Sequence, residues 1–360
     1  MENKLITTMI KPALREMAAY QVQDAAGMIK LDAMENPYAL SEELRTAWLK
    51  FVKPAALNRY PGGEAAELKS QLQKLMQVDA RHAMLLGNGS DEIIQIIMLA
   101  CAFNQRAVIA VEPSFVMYRL IAAVVGLTYQ GVSLNPDFSL PVAGLQEAMK
   151  AHTGALVFIA SPNNPTGNVF DAQALEQIIA ASDGLVIIDE AYFPFAKVSL
   201  QAWMSRYPHL LVMRTLSKMG LAGLRLGMLF GQAELIAEFN KARLPYNINI
   251  LTQKSLEFVF EYWGVFNQQV DHVIHEREQL LKQLSGLPGL QVYPSKANFI
   301  LFKSLVLPAA QVFSQLIQKK ILIKMMKSDN ELLGNCLRMT VGLADENKKF
   351  VTALKQILAP

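Results

Sequence analysis

Five nearly continuous apolar runs occupy the middle of the chain: 107–111 (AVIAV), 155–161 (ALVFIAS), 184–190 (GLVIIDE), 210–217 (LLVMRTLS) and 225–231 (RLGMLFG). A strand with one wet face would carry a polar residue at every second position. These runs do not, so they read as strands covered on both faces. The segments between them have helical spacing; in 171–182, Ala172, Leu175, Ile178 and Ile179 share one face. Strand–helix alternation of this kind predicts an α/β chain built on a mostly parallel central sheet.

From about Leu251 the texture changes. An amphipathic helix is expected through 252–284, broken near Gly264, then strands at 298–302 (NFILF) and 336–342 (CLRMTVG) with a helix between them. The expected layout is a large domain at 31–250 and a smaller α+β domain at 251–360. Residues 1–30 carry no core pattern of their own and are expected to pack with the smaller domain. A chain of 360 residues is longer than one core usually serves, and 52% apolar against 18% charged residues suffices for two.

Charge and cysteine usage remove several classes of partner. A net charge of +3 without a long basic run argues against nucleic acid and anionic membrane surfaces. No stretch reaches the ~18 apolar residues that span a bilayer. The N-terminus lacks the basic-then-apolar layout of a signal peptide. Cys101 and Cys336 are too few for a disulfide framework. A soluble, cytoplasmic protein with no nucleic-acid or membrane partner is expected.

The segment richest in chemistry is VMRTLSKMGLAGLRLG (212–227). It sets Lys218 just past a buried strand, where a packed backbone aims its amine at one point and lets it form an imine with an aldehyde. Thr215 and Ser217 add hydroxyls beside it, and Arg225 supplies a charged fork suited to a phosphate. In GLVIIDEAYFPF (184–195), Asp189 and Glu190 end an apolar strand at the edge where α/β sheets hold ligands. A buried carboxylate there needs a cationic partner; a protonated ring nitrogen is one, and Tyr192 could hydrogen-bond an oxygen of the same ring, unless Asp189 caps the next helix or pairs internally. Asn164 in SPNNPTG (161–167) offers its amide to that oxygen, unless the segment is a plain turn. In LLGNGSDE (85–92), Ser90 and the backbone N–H groups of Asp91 and Glu92 form an anion site at a helix start, or Ser90 is an ordinary cap. No Walker or GxGxxG element is present. His272 and His275 lack the companions of a metal site, so no metal is expected.

Taken together, these segments resemble fold-type I pyridoxal 5′-phosphate (PLP) enzymes, and in detail the histidinol-phosphate aminotransferases. LDAMENPY (31–38), NRYPGG (58–63), EPSFVMY (112–118), RLPYNIN (243–249), PSKANFILF (294–302) and LRMTVGLADEN (337–347) extend the likeness over nearly the whole chain. The resemblance implies that Lys218 carries PLP as a Schiff base, that Asp189 pairs with the pyridine nitrogen, and that Tyr192 and Asn164 bind the ring oxygen. It implies a phosphate site among Ser90, Asp91, Thr215, Ser217 and Arg225, with Phe115 stacked on the ring. Tyr60 resembles a tyrosine that reaches the phosphate from the neighbouring subunit, which implies a homodimer with shared active sites. Arg338 matches the arginine that grips the substrate's anionic group, and Tyr20 and Glu35 fall where the N-terminal segment lines the substrate pocket. The implied reaction interconverts L-histidinol phosphate and 2-oxoglutarate with imidazole acetol phosphate and L-glutamate, in histidine biosynthesis. An aromatic amino acid aminotransferase and a lyase similar to threonine-phosphate decarboxylases are the alternatives. Met34, where an asparagine is commoner, Lys324, where many members have arginine, and the shortened SKMGLAG loop depart from the family pattern.

Overall fold

A computed structural model describes residues 4–19, 22–62, 65–326 and 330–359. Regular β-structure begins with the short β1 (Ile29–Lys30). Seven strands follow: β2 (His82–Asn88), β3 (Ala107–Glu112), β4 (Thr128–Ser133), β5 (Leu156–Ala160), β6 (Leu185–Asp189), β7 (Leu210–Thr215) and β8 (Leu226–Gln232). They form one sheet in the order β2-β8-β7-β6-β5-β3-β4. The five runs read from the sequence are β3, β5, β6, β7 and β8. The sheet is mostly parallel, as expected, but β8 runs antiparallel to both β2 and β7. The run in β8 is buried on both faces like its parallel neighbours, so composition does not reveal its direction.

Each central strand feeds two cores. Val186 and Ile188 of β6 and Val212 of β7 point into one, while Ile187, Leu211 and Met213 point into the other. With both faces covered, every side chain of β6 and β7 past Leu185 is buried, which is why these strands show no polar alternation. The carboxyl ends of β5, β6 and β7 lie side by side, and the chain leaves them at Ser161, Glu190 and Leu216. That common edge positions the site.

The C-terminal part adds β9 (Leu290–Val292), β10 (Phe299–Ser304), β11 (Ile321–Leu322), β12 (Lys324–Met325) and β13 (Cys336–Thr340). Four of these form an antiparallel sheet in the order β12-β13-β10-β9. The long helix expected over 252–284 is two helices, Ile250–Glu261 and Trp263–Ser285. The break falls at Tyr262, and Gly264 lies inside the second helix. The N-terminal residues divide. β1 pairs in parallel with β11, joining the C-terminal part. Lys11 instead donates to the carbonyls of Val124 and Val125, at the end of the helix Met117–Val125, where a cation suits the helix dipole.

Candidate active site

Lys218 lies in a turn of 3₁₀ helix (Ser217–Met219) directly after β7. The turn is fixed at both ends: Leu216 N–H donates to Leu226 O across to β8, and Met219 N–H to Leu216 O. The residue as a whole keeps some exposure, but enclosure of its amine by protein, with Arg338 nearby, lowers its pKa from 10.5 to about 8. A neutral amine is the nucleophilic form, so this environment suits imine chemistry near neutral pH.

Asp189, 4% exposed, ends the neighbouring strand. Its Oδ2 accepts from the Tyr118 hydroxyl at 2.8 Å and its Oδ1 from Ala191 N–H at 3.0 Å. Burial outweighs these bonds and raises the carboxyl to about 6. Among the described residues no basic side chain makes a salt bridge with it. A carboxylate left this way is suited to receive a cationic group from a ligand. Tyr118 was not singled out in the sequence. It is fully buried and stacked on Phe158 at 5.0 Å, and burial together with the Asp189 charge keeps its phenol protonated as a donor.

One cleft brings Lys218 and Asp189 together with Ser90, Asp91, Phe115, Asn164, Tyr192, Thr215, Ser217 and Arg225. The Tyr192 hydroxyl donates to Met34 Sδ at 3.1 Å, and its ring lies 5.7 Å from the Lys218 amine. Met34 therefore forms part of the wall, held in a left-handed conformation (φ 55°). Its N–H donates to Thr340 Oγ1 and its carbonyl accepts from Asn298 Nδ2, two bonds that offset the cost of that conformation.

The expected anion cradle is assembled from three elements. Ser90 is the first residue of the helix Ser90–Ala100 and makes no side-chain cap. Gly89 holds the cap position at φ 87° instead. A Cβ on Gly89 would lie 2.5 Å from Arg225 Nη2, so glycine is what lets the guanidinium close over the helix start. Arg225 Nη2 lies 3.2 Å from Asp91 Oδ2, and the Thr215 and Ser217 hydroxyls are 2.9 Å apart. Unpaired N–H groups, two hydroxyls and a guanidinium converge there, a donor set fitted to a phosphate. The Glu92 carboxylate takes no part in the cleft wall. It accepts from Asn88 N–H and Asn247 Nδ2, closing the loop behind it.

The remaining expected residues sit further out. The Arg338 guanidinium donates to Asn164 Oδ1 and to Asp32 O and lies over the Phe299 ring at 5.3 Å. Lys324 is its cross-strand neighbour. Glu35 is exposed and paired with Lys30. Tyr60 is 81% exposed and stacked on Tyr246, outside the cleft. Tyr20 lies outside the described residues.

The profile of the aminotransferase class I and II family matches residues 26–354. A histidinol-phosphate aminotransferase 2 of Nitrosococcus oceani is 51% identical over 346 residues, which cover 96% of either chain. The chain belongs to the class I and II aminotransferases, among the histidinol-phosphate aminotransferases. A second relative, histidinol-phosphate aminotransferase 1 of Ralstonia nicotianae, is 45% identical over 97% of this chain and 94% of its own. The histidinol-phosphate aminotransferase of Sinorhizobium meliloti, solved with pyridoxal-5′-phosphate, superposes with a TM-score of 0.83 over 97% of each chain at 19% identity. An L-threonine-O-3-phosphate decarboxylase from Porphyromonas gingivalis also superposes, at a TM-score of 0.78, 20% identity, over 92% of this chain and 99% of its own. Identities this low establish the fold-type I architecture, which transaminases and decarboxylases share. The family works with PLP, and the cleft fits that cofactor: an enclosed amine, a carboxylate lacking a cation and a phosphate cradle lie in one cavity. No helix of the described residues is long and apolar enough to cross a membrane.

Proposed function

We propose that the protein transfers the amino group of L-histidinol phosphate to 2-oxoglutarate in the cytoplasm, using PLP held by Lys218. The observation that carries the chemistry is Asp189: a buried carboxylate without a cationic partner, in the cleft that holds an amine of lowered pKa. When bound, PLP supplies an electron sink for charge developing at the substrate Cα. Asp189 would keep the pyridine nitrogen protonated, with Tyr118 fixing the carboxylate. Tyr192 and Asn164 would bind the ring oxygen and Phe115 would pack against the ring. Ser90, Thr215, Ser217, Arg225 and the backbone N–H groups of Asp91 and Glu92 would hold the phosphate. The Lys218 amine would move the proton at the substrate Cα, a general-base role its lowered pKa permits near neutral pH.

The choice of substrate rests on the relatives, 51% and 45% identical, and on Arg338. A guanidinium fork accepts either a phosphate or a carboxylate, which lets one site serve histidinol phosphate and glutamate in alternate half-reactions. Tyr20 and Glu35 are assigned to the same pocket by family resemblance. The test is a substrate panel scored by half-reaction spectra. L-histidinol phosphate alone should convert bound PLP to its amine form, and 2-oxoglutarate should restore it. Carbon dioxide release from L-threonine O-3-phosphate in the same panel, without that conversion, would establish a lyase, and faster conversion by phenylalanine would establish an aromatic aminotransferase.

The same reading makes the protein a homodimer with shared sites. Leu57, Tyr60 and Leu244 are exposed apolar side chains, and Tyr60 stacks on Tyr246, the chain neighbour of Asn247, which donates to Glu92 behind the phosphate cradle. Tyr60 is proposed to complete the partner subunit's phosphate site. Mixing an inactive Lys218 variant with an inactive Tyr60 variant should restore activity through hybrids with one intact site. No recovery despite proven subunit exchange would show that each subunit works alone.

A further inference from the structure

We propose that Arg214 and Glu190 are positioning residues, a buried ion pair on the far side of the sheet that fixes the strand ends carrying Asp189, Tyr192 and Thr215. The inference rests on the reading that those three side chains hold the cofactor. Strand side chains alternate between faces. Met213 packs into the same core as Ile187, and Val212 into the same core as Ile188, so Asp189 and Thr215 emerge on one side and Arg214 on the other. Two residues of the cleft therefore have a chain neighbour on the opposite face: Asp189 has Glu190 and Thr215 has Arg214, while Phe193, next to Tyr192, lies against the Arg214 guanidinium.

These neighbours are locked together. Arg214 and Glu190 side chains are 2% and 1% exposed, with Nε and Oε2 2.9 Å apart. Ser199 Oγ donates to the Glu190 carboxylate and accepts from Arg214 Nη2 at 2.7 Å. Leu200 N–H donates to Glu190 Oε1 at 2.7 Å, and Arg214 Nη1 reaches Met76 O at 3.2 Å. The guanidinium also lies 3.8 Å from the Phe193 ring centroid. The Glu190 N–H donates to Met213 O, which extends the pairing of the two strands one residue past Asp189. One guanidinium thus joins both strand ends, the turn after β6 and the end of the helix Ala66–Leu75.

Burying two charges does not in itself favour such an arrangement, because desolvation offsets most of the attraction and apolar replacements are often as stable. What a five-donor fork does supply is fixed geometry at several atoms at once, and reacting groups tolerate little displacement. The pair therefore acts on where the Asp189 carboxylate and the Tyr192 hydroxyl stand, more than on whether the chain folds.

The test compares the parent protein with Arg214→Met/Glu190→Leu, which removes both charges, and with Arg214→Lys, which keeps the charge but cannot span Glu190, Ser199 and Met76 together. Three quantities are read: unfolding of the cofactor-free chain, PLP affinity, and the pH midpoint of the bound cofactor's absorbance. The double variant should unfold close to the parent while PLP affinity falls about tenfold and the midpoint moves by about one pH unit. Arg214→Lys should move both in the same direction by less. Parental affinity and midpoint in either folded variant would overturn the proposal and reduce the pair to a structural contact. A parent chain that showed no PLP binding would instead overturn the cofactor reading, so the two failures are distinguishable.

Discussion

Replacing Lys218 with alanine is expected to lower turnover by on the order of 10⁴-fold or more, because in the proposed mechanism one amine carries both the covalent attachment and the proton transfer. The chain should still fold, since the turn around Lys218 is held by backbone bonds from Leu216 and Met219 that alanine retains. Stability against pH gives an independent check on the amine's environment. In the cofactor-free protein its pKa is about 8, below the ordinary 10.5. Between those values the unfolded chain binds the proton and the folded one does not, so stability rises with pH across that window. The alanine variant should lack that rise. For the same reason the rate of PLP capture by the parent should climb about tenfold per pH unit below 8 and level off above it. Substantial activity in the variant without added amine would remove Lys218 from the mechanism.

Much of the architecture is legible because burial on both faces leaves a plain sequence trace. The runs in β3, β5, β6, β7 and β8 stand out since both of their faces enter a core. β4 does not, because an edge strand with exposed residues such as Thr128 and Gln130 has no such run. β2 is hidden differently: its apolar residues run straight into the Gly-Asn-Gly-Ser turn, which draws the eye as a helix start. The direction of β8 is invisible because core burial is the same either way.

The site was legible where motifs are local and obscure where contacts are long-range. Lys218, Thr215 and Ser217 fall within four residues of one another, so their meeting in one cleft is readable. Tyr118 is 71 residues from Asp189 and reads as a core aromatic until its hydroxyl is seen on the carboxylate. The contact of Arg338 with Asn164 spans 174 residues and joins the two sheets through side chains. Met34 shows how a departure from family pattern acquires meaning. Its left-handed backbone and its sulfur on the Tyr192 hydroxyl make it part of the cleft wall, where an amide would present a hydrogen-bonding group.

Asp189→Asn is expected to keep the fold and bind PLP, yet slow the chemical step by on the order of 10³-fold or more. Asparagine matches the carboxylate in size; its Oδ1 can accept from Ala191 N–H while its Nδ2 donates to the Tyr118 hydroxyl, so the strand end stays in place. It cannot hold a proton on the pyridine nitrogen, and the electron sink is lost. The variant should also reverse its rank in stability. Without cofactor, the folded pKa of about 6 lies above the ordinary 3.8, so the group's stabilising contribution is complete below 3.8 and lost as pH rises through 6. Above pH 6 the buried, unpaired carboxylate costs the parent on the order of 3 kcal/mol that the amide avoids. The cofactor-free variant should therefore unfold at a higher temperature than the parent at neutral pH. With PLP bound the order should invert, because the carboxylate then has its cation and the amide has none. Thermal unfolding of both proteins with and without PLP, at pH 5 and pH 8, measures all four cases. A parent that is the more stable without cofactor at pH 8, together with near-normal turnover in the variant, would make Asp189 a structural carboxylate.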